Sequence, residues 1–143
     1  MKKGKSCILT AEENGEIQGF AIVIPYGNMV MVDYLAVSGK IRSRGTGSKI
    51  IKEVCRRFSG KKIVPLIEKP DDLAENKEQR IARRRFYLKN GFTSSDIFIT
   101  GHSGNMEILN YGSVVLPEEY MDLQKYALGK LMFMLSRIRL DKK

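Results

Sequence analysis

Lys40–Ile51 reads KIRSRGTGSKII: two arginines, then two glycines one residue apart, then an apolar run with helical spacing. A chain that enters a helix through glycines leaves the first helical N–H groups unpaired. Those donors and the helix dipole together attract an anion. Gly45 and Gly47 carry no Cβ and permit close backbone approach, while Arg42 and Arg44 add positive charge. The segment Arg42, Ser43, Arg44, Gly45, Thr46, Gly47 and Ser48 is therefore expected to hold a phosphate or diphosphate. The competing reading is a tight turn that simply needs glycine. Two familiar phosphate loops do not fit. G-x-x-x-x-G-K-[ST] fails because Ser48 stands between Gly47 and Lys49, and G-x-G-x-x-G fails because Ile50 occupies the place of the last glycine.

Upstream of this turn the sequence reads as strands. SCILTAEENGEIQGFAIVI (Ser6–Ile24) holds two apolar stretches separated at Asn14-Gly15, a pair suited to a two-residue hairpin turn. MVMVDYLAVS (Met29–Ser38) is β-branched and nearly continuously apolar, as a buried central strand is. Three successive antiparallel strands are expected. Downstream the period changes: Ile50, Ile51, Val54, Cys55 and Phe58 recur at helical spacing. KIVPLIE (Lys62–Glu68) is the next strand, roughly parallel to its predecessor, and Pro65 argues for an edge position or a bulge. A polar loop leads into a second helix that ends at Asn90-Gly91. Two short strands follow around Ile97–Thr100 and Met106–Leu109, joined by a loop containing the sole histidine, His102.

Pro117, Glu118 and Glu119 suit the start of a last helix, expected over 117–140. Its stripe of Tyr120, Leu123, Ala127, Leu131, Met134, Leu135 and Ile138 is read as packing on the domain's own core, with a homodimer contact as the alternative. The fold class is thus α/β (α+β): a mixed, mostly antiparallel central sheet flanked by helices. One domain is expected over residues 1–143, with 1–7 as an N-terminal tail.

Composition limits the function. The chain is 43% hydrophobic and 29% charged, which is ordinary for a globular domain with one core. No apolar run approaches the roughly 20 residues of a membrane span, and the N-terminus does not read as a signal peptide. Cys7 and Cys55 are far apart and lack a CxxC pattern, so the expectation is a reduced, cytoplasmic protein with no metal site. Net charge is +9, but no aromatic-rich basic stripe or recognition motif accompanies it, and neither a nucleic acid nor a membrane is expected as partner.

The order strand, strand, strand, R-x-x-G-x-G, helix, strand, helix ending in F-Y-x-x-x-G-F resembles the GNAT acetyltransferase family. The acetyl-coenzyme A signature of that family, [RQ]-x-x-G-x-[GA], is matched by Arg42, Gly45 and Gly47, placed after YLAVS (Tyr34–Ser38). RRFYLKNGF (Arg84–Phe92) resembles the family's last conserved helix and turn through Phe86, Tyr87, Gly91 and Phe92. The resemblance spans roughly residues 8 to 110. It implies that backbone amides of residues 42–48 bind the coenzyme diphosphate and that Leu35, Ala36 and Val37 pair with the pantetheine arm. It also implies that Tyr87 protonates the leaving thiolate as general acid. The implied activity is acetyl transfer from acetyl-coenzyme A to a small-molecule or peptide amine. The alternative is a non-catalytic domain of this fold that binds coenzyme A or a protein partner.

An amine resembling lysine, with a pKa of about 10.4, is protonated at neutrality and needs a base before it can attack. Glu68, ending KIVPLIE, is the first candidate, and Asp33 is the second. Met31 stands where some family members carry a glutamate base, and His102 reads as a loop residue. Arg80 replaces an asparagine that the family often carries seven residues before the tyrosine. The family's usual leading helices, which wall the acceptor pocket, have no counterpart before the first strand. Either the chain is shortened, or the long last helix or a second subunit supplies that wall.

Overall fold

The opening hairpin is set by Asn14 and Gly15, with φ of 55° and 82°. Positive φ at both positions gives the turn that matches strand twist. The turn joins β1 (Cys7–Glu13) to β2 (Glu16–Tyr26), and Gly27-Asn28 then reverses the chain into β3 (Met29–Val37). Both pairings are antiparallel. α1 (Thr46–Arg57) crosses to β4 (Lys62–Glu68), which lies parallel to β3. α2 (Lys77–Lys89) leads to the hairpin of β5 (Thr93–Gly101) and β6 (Gly104–Asn110), followed by α3 (Pro117–Ser136) and β7 (Arg139–Lys142). The sheet order is β1-β2-β3-β4-β6-β5-β7, and among the described residues β3–β4 is its single parallel pair. This is the mixed, mostly antiparallel sheet expected. The computed structural model describes residues 7–38, 45–101, 104–136 and 139–142.

The near-continuous apolar run of β3 has a simple cause. Val30 and Val32 enter one core cluster, Met29 and Met31 the other, because successive side chains point to opposite faces. On the first face Ile50, Ile51 and Val54 of α1 and Tyr87 of α2 close over Val23, Val30, Ile63 and Ile67. On the second, Tyr120 and Leu123 of α3 close over Ile24, Met29, Val64 and Ile108. The last helix thus covers the face opposite α1 and α2.

Two expectations need correction. Pro65 lies on a central strand, not an edge. Pairing of β4 with β3 ends at Val32↔Pro65, and on its other side β4 bonds Ile63↔Tyr111 and then Leu66↔Ile108 onward, so the missing N–H falls in the gap of that second ladder. The helix expected to residue 140 stops at Ser136, and Arg139–Lys142 instead pairs with β5 as a short edge strand. Four residues, RLDK, carry no alternating apolar pattern by which a strand is recognised. The side chains of Leu131, Met134 and Leu135, and Ile138 as a whole, lie outside what is described.

One ion pair fastens α2 to the sheet. Arg84 donates to both oxygens of Glu107, at 2.9 and 3.2 Å, and Glu107 is 3% exposed. Burial pushes the Glu107 carboxyl up, but hydrogen bonds from Arg84 and Ser94 and the charges of Arg84 and Lys69 outweigh it, and the carboxyl sits below its usual value. A lowered folded-state pKa contributes stability that is complete above the unfolded value and is lost as pH falls through the folded one. Glu107→Gln should therefore flatten the acid limb of stability against pH. Glu107→Ala should cost about 1–3 kcal/mol in urea unfolding at neutral pH, because it orphans a partly buried guanidinium.

Candidate active site

The site begins where β3 and β4 part. They pair from Met29↔Lys62 to Val32↔Pro65 and no further. Immediately beyond, Asp33 is the extra residue of a β-bulge: Ile22 faces Tyr34 while Val23 faces Val32. A bulge bends its strand and increases its twist. Meanwhile Leu66–Glu68 pairs with β6. A wedge therefore opens between Asp33–Val37 and Leu66–Glu68, and one edge of β3 has no ladder partner among the described residues.

The backbone polarity of that edge follows by alternation. Ser38 N–H donates to Gln18 O at 2.8 Å. Ser38 and Ala36 therefore address β2, while Leu35 and Val37 turn their N–H and C=O groups toward the wedge. Of the three residues expected to line it with backbone, two present free polar groups.

At the end of β3 the chain enters α1 through Gly45, whose φ is 79°. Among the described residues no side chain caps this helix start, and no acidic residue lies in its first turn. The donors of the first turn are thus available to an anion. The two glycines serve different ends. A Cβ on Gly45 would meet nothing within 4 Å, so its requirement is the left-handed backbone. A Cβ on Gly47 would come within 3.2 Å of the Phe86 ring and 3.6 Å of a Val37 methyl. Asn90 Nδ2 donates to Ser48 Oγ at 3.1 Å and to Phe86 O at 2.9 Å. The end of α2 is thereby tied to the first turn of α1, a link hidden in sequence because Asn90 read only as a helix stop. Arg42, Ser43 and Arg44, and likewise His102, lie outside the described residues.

Tyr87 sits 4% exposed between Phe86 and Phe92, both rings meeting it edge-on at 5.2 Å. Burial pushes its phenol up to about 12, with the Arg83 charge pulling the other way. The phenol makes no hydrogen bond to a described residue and stays protonated across the neutral range, so it can give a proton but not take one.

The two carboxylates differ. Glu68 accepts from Asn76 Nδ2 at 3.1 Å and Arg80 Nη2 at 3.2 Å, with Arg83 Nη1 at 3.8 Å. Arg80 also donates to Asn76 Oδ1 and to Lys69 O. The group locks the end of β4 to the start of α2. Asp33 is exposed and has no hydrogen-bond or ion-pair partner among the described residues. It lies close to Tyr120, whose phenol is raised chiefly by burial and further by the Asp33 charge. Tyr120 donates to Gln124 Oε1 at 2.5 Å in the buried layer beneath. Met31 is buried in the core on that face.

Among known families, the model of the acetyltransferase (GNAT) domain matches residues 4–94, more than half of the chain. No protein of curated function matches the sequence. Among solved structures, a GNAT-family protein of Bacteroides thetaiotaomicron is similar at TM-score 0.67 and 18% identity, covering 92% of this chain and 76% of that one. A GNAT acetyltransferase of Elizabethkingia anophelis with acetyl-CoA bound is similar at 0.63 and 19%, covering 76% and 77%. The ribosomal-protein-S18-alanine N-acetyltransferase of Escherichia coli is similar at 0.62 and 14%, covering 82% and 75%.

The two glycine roles are separable. Gly45→Ala should cost about 1–2 kcal/mol through the left-handed backbone alone, independent of residue 86. Gly47→Val should also destabilise, but Phe86→Leu should recover part of that loss, a coupling of about 0.5–3 kcal/mol. Urea unfolding of the singles and doubles decides it, and additive losses at 47 and 86 would rule the contact out.

Proposed function

The chain belongs to the GNAT acetyltransferase family, and from that premise we propose that it is an N-acetyltransferase acting on a primary amine, small-molecule or peptide, in a ternary complex with acetyl-coenzyme A. The observation that carries this reading is the presence of two sets of available backbone groups, on the edge of β3 and at the start of α1. Leu35 and Val37 face the wedge, and the uncapped start of α1 follows at its end. An added strand can pair with the first, and a diphosphate can rest on the second.

Acetyl-coenzyme A supplies the activated acetyl group as a thioester. The remaining tasks fall to the chain. Amides of Gly45–Ser48 hold the diphosphate, and the backbone of Leu35 and Val37 holds the pantetheine arm. An N–H on the same edge donates to the carbonyl oxygen as negative charge develops there. Asp33 accepts a proton from the ammonium, directly or through water, so that the nitrogen lone pair can form the new C–N bond. Tyr87 Oη gives its proton to sulfur as the C–S bond breaks, and the second proton that the nitrogen loses in becoming an amide returns through water to the phenolate.

Asp33 is preferred to Glu68 as base because both oxygens of Glu68 are already engaged. Glu68 is assigned instead to positioning α2 over the wedge. Every step uses a neutral-pH protonation state, and none needs a covalent enzyme intermediate.

Acetyl-coenzyme A should raise the melting temperature of the protein. Asp33→Asn should retain that shift yet lose about 10²–10⁴-fold in kcat across a panel of amines, and Tyr87→Phe should behave alike. With the native tyrosine no alkaline fall in rate should come from residue 87 until pH nears about 12. A thermal shift without product from any amine would convert the reading to a coenzyme-binding, non-catalytic domain. No thermal shift at saturating ligand would falsify both.

A further inference from the structure

A cavity of about 670 Å³ lies apart from the wedge, beside the last two turns of α1. Its walls are fixed by backbone. Lys61 N–H donates to Phe58 O at 3.0 Å, Lys62 N–H to Asn28 O at 2.8 Å, and Ile63 and Tyr111 exchange both bonds at 3.0 and 2.9 Å. The space is therefore preformed, within the range usual for small-molecule sites. Its floor is apolar, with Ile51, Phe58 and the half-exposed ring of Tyr111.

Lys52, Arg56, Lys61 and Lys62 line it, and no carboxylate does. Arg56 is paired with Glu53, and Lys62 with Glu119 at 2.7 Å. Lys61 Nζ reaches only a neutral acceptor, Gly27 O, at 2.8 Å. Lys52 has no hydrogen-bond or ion-pair partner among the described residues, and the hydroxyls of Ser59 and Ser113 have none either. The carbonyl end of α1 carries about half a negative charge, which Arg56 and Arg57 in its last turn offset. The Cys55 thiol is pushed up to about 11 by burial and adds no negative charge. Positive charge is thus left over in a concave, partly apolar space.

We propose that this cavity binds a small organic anion, a flat apolar body bearing a carboxylate or phosphate, at the same time as coenzyme A occupies the wedge. The apolar body lies on Phe58 and Tyr111. The anionic group faces Lys52 and Lys61 and accepts from Ser59 or Ser113. Only the simultaneous occupancy rests on the proposed coenzyme site.

The test is a titration of the isotopically labelled full chain, with and without saturating coenzyme A, followed by amide resonances. The probes are phenyl phosphate, benzoate and neutral phenol. Phenyl phosphate or benzoate should move signals in 52–62 and 111–113 with a dissociation constant below about 1 mM. Whichever binds more tightly identifies the anionic group. Lys52→Glu, at an exposed position, should weaken binding by at least about tenfold, and Ser113→Trp should block the space without changing charge. Equal binding of phenol, indifference to both variants, or displacement by coenzyme A would each overturn the proposal. Absence of coenzyme-induced shifts at Gly45–Ser48 would count against the acetyltransferase reading alone, because the probe titration without coenzyme still tests the cavity.

Discussion

The structure depends on β3 and β4 parting after a short parallel run. Their pairing ends at Val32↔Pro65, while on its other side β4 stays with the β6 segment from Ile63↔Tyr111 to Glu68↔Met106. A strand that stayed paired with β3 throughout would leave no opening at its carboxyl end. Pro65, which offers no N–H, leaves a gap in the second ladder between Ile63↔Tyr111 and Leu66↔Ile108. The bulge at Asp33 acts on the other side of the opening by turning β3 away at the position where its partner leaves. The bulge on β3 and the end of its pairing with β4 thus make a cleft from what is otherwise a regular sheet.

A cleft between diverging strands needs reinforcement, because neither edge stabilises the other there. The reinforcement comes from α2. Its first turn is joined to the end of β4 through Arg80, Asn76 and Glu68, its middle to β6 through Arg84 and Glu107, and its end to α1 through Asn90 and Ser48. Phe86 presses on Gly47 and Tyr87 is buried in the core between. The FYLKNGF segment is therefore as much the buttress of the Gly45–Ser48 turn as the carrier of the proposed general acid. Removal of any one tie loosens the geometry in which Gly45–Ser48 and the β3 edge line up.

Much of this was legible in the sequence. The Asn14-Gly15 hairpin, the β3 run, the helical spacing after Gly47 and the two signatures were enough to assign the opening meander, the helical crossover and the mixed sheet, because each depends on local chemistry or on periodicity. The parts that escaped depend on long-range partners. Pro65 suggested an edge because a proline in a strand reports only its own missing donor, not the neighbour that makes the loss tolerable. Glu68 and Asp33 looked alike as strand carboxylates. Only the tertiary arrangement separates the one enclosed by Asn76 and Arg80 from the one left open on a bulge. The two glycines look equivalent in the motif, yet one answers to φ and the other to an aromatic ring 39 residues away in sequence.

The charge balance carries the same lesson. A net charge of +9 suggests a polyanionic partner, yet a good share of it is structural. Arg80 and Arg84 are engaged with Glu68 and Glu107, Arg56 and Arg57 share Glu53, and Lys62 is held by Glu119. Carboxylates that serve as counter-ions in this way are poor acceptors for a substrate's proton, since accepting one would break the pair. Asp33 is different. It stands on a bulge beside buried Tyr120, whose hydroxyl is satisfied by Gln124, and no described cation neutralises it. In a protein with cations in such excess, a carboxylate kept clear of them is suited to a positively charged visitor. An ammonium approaching from the α3 face would meet at Asp33 both attraction and a destination for its proton.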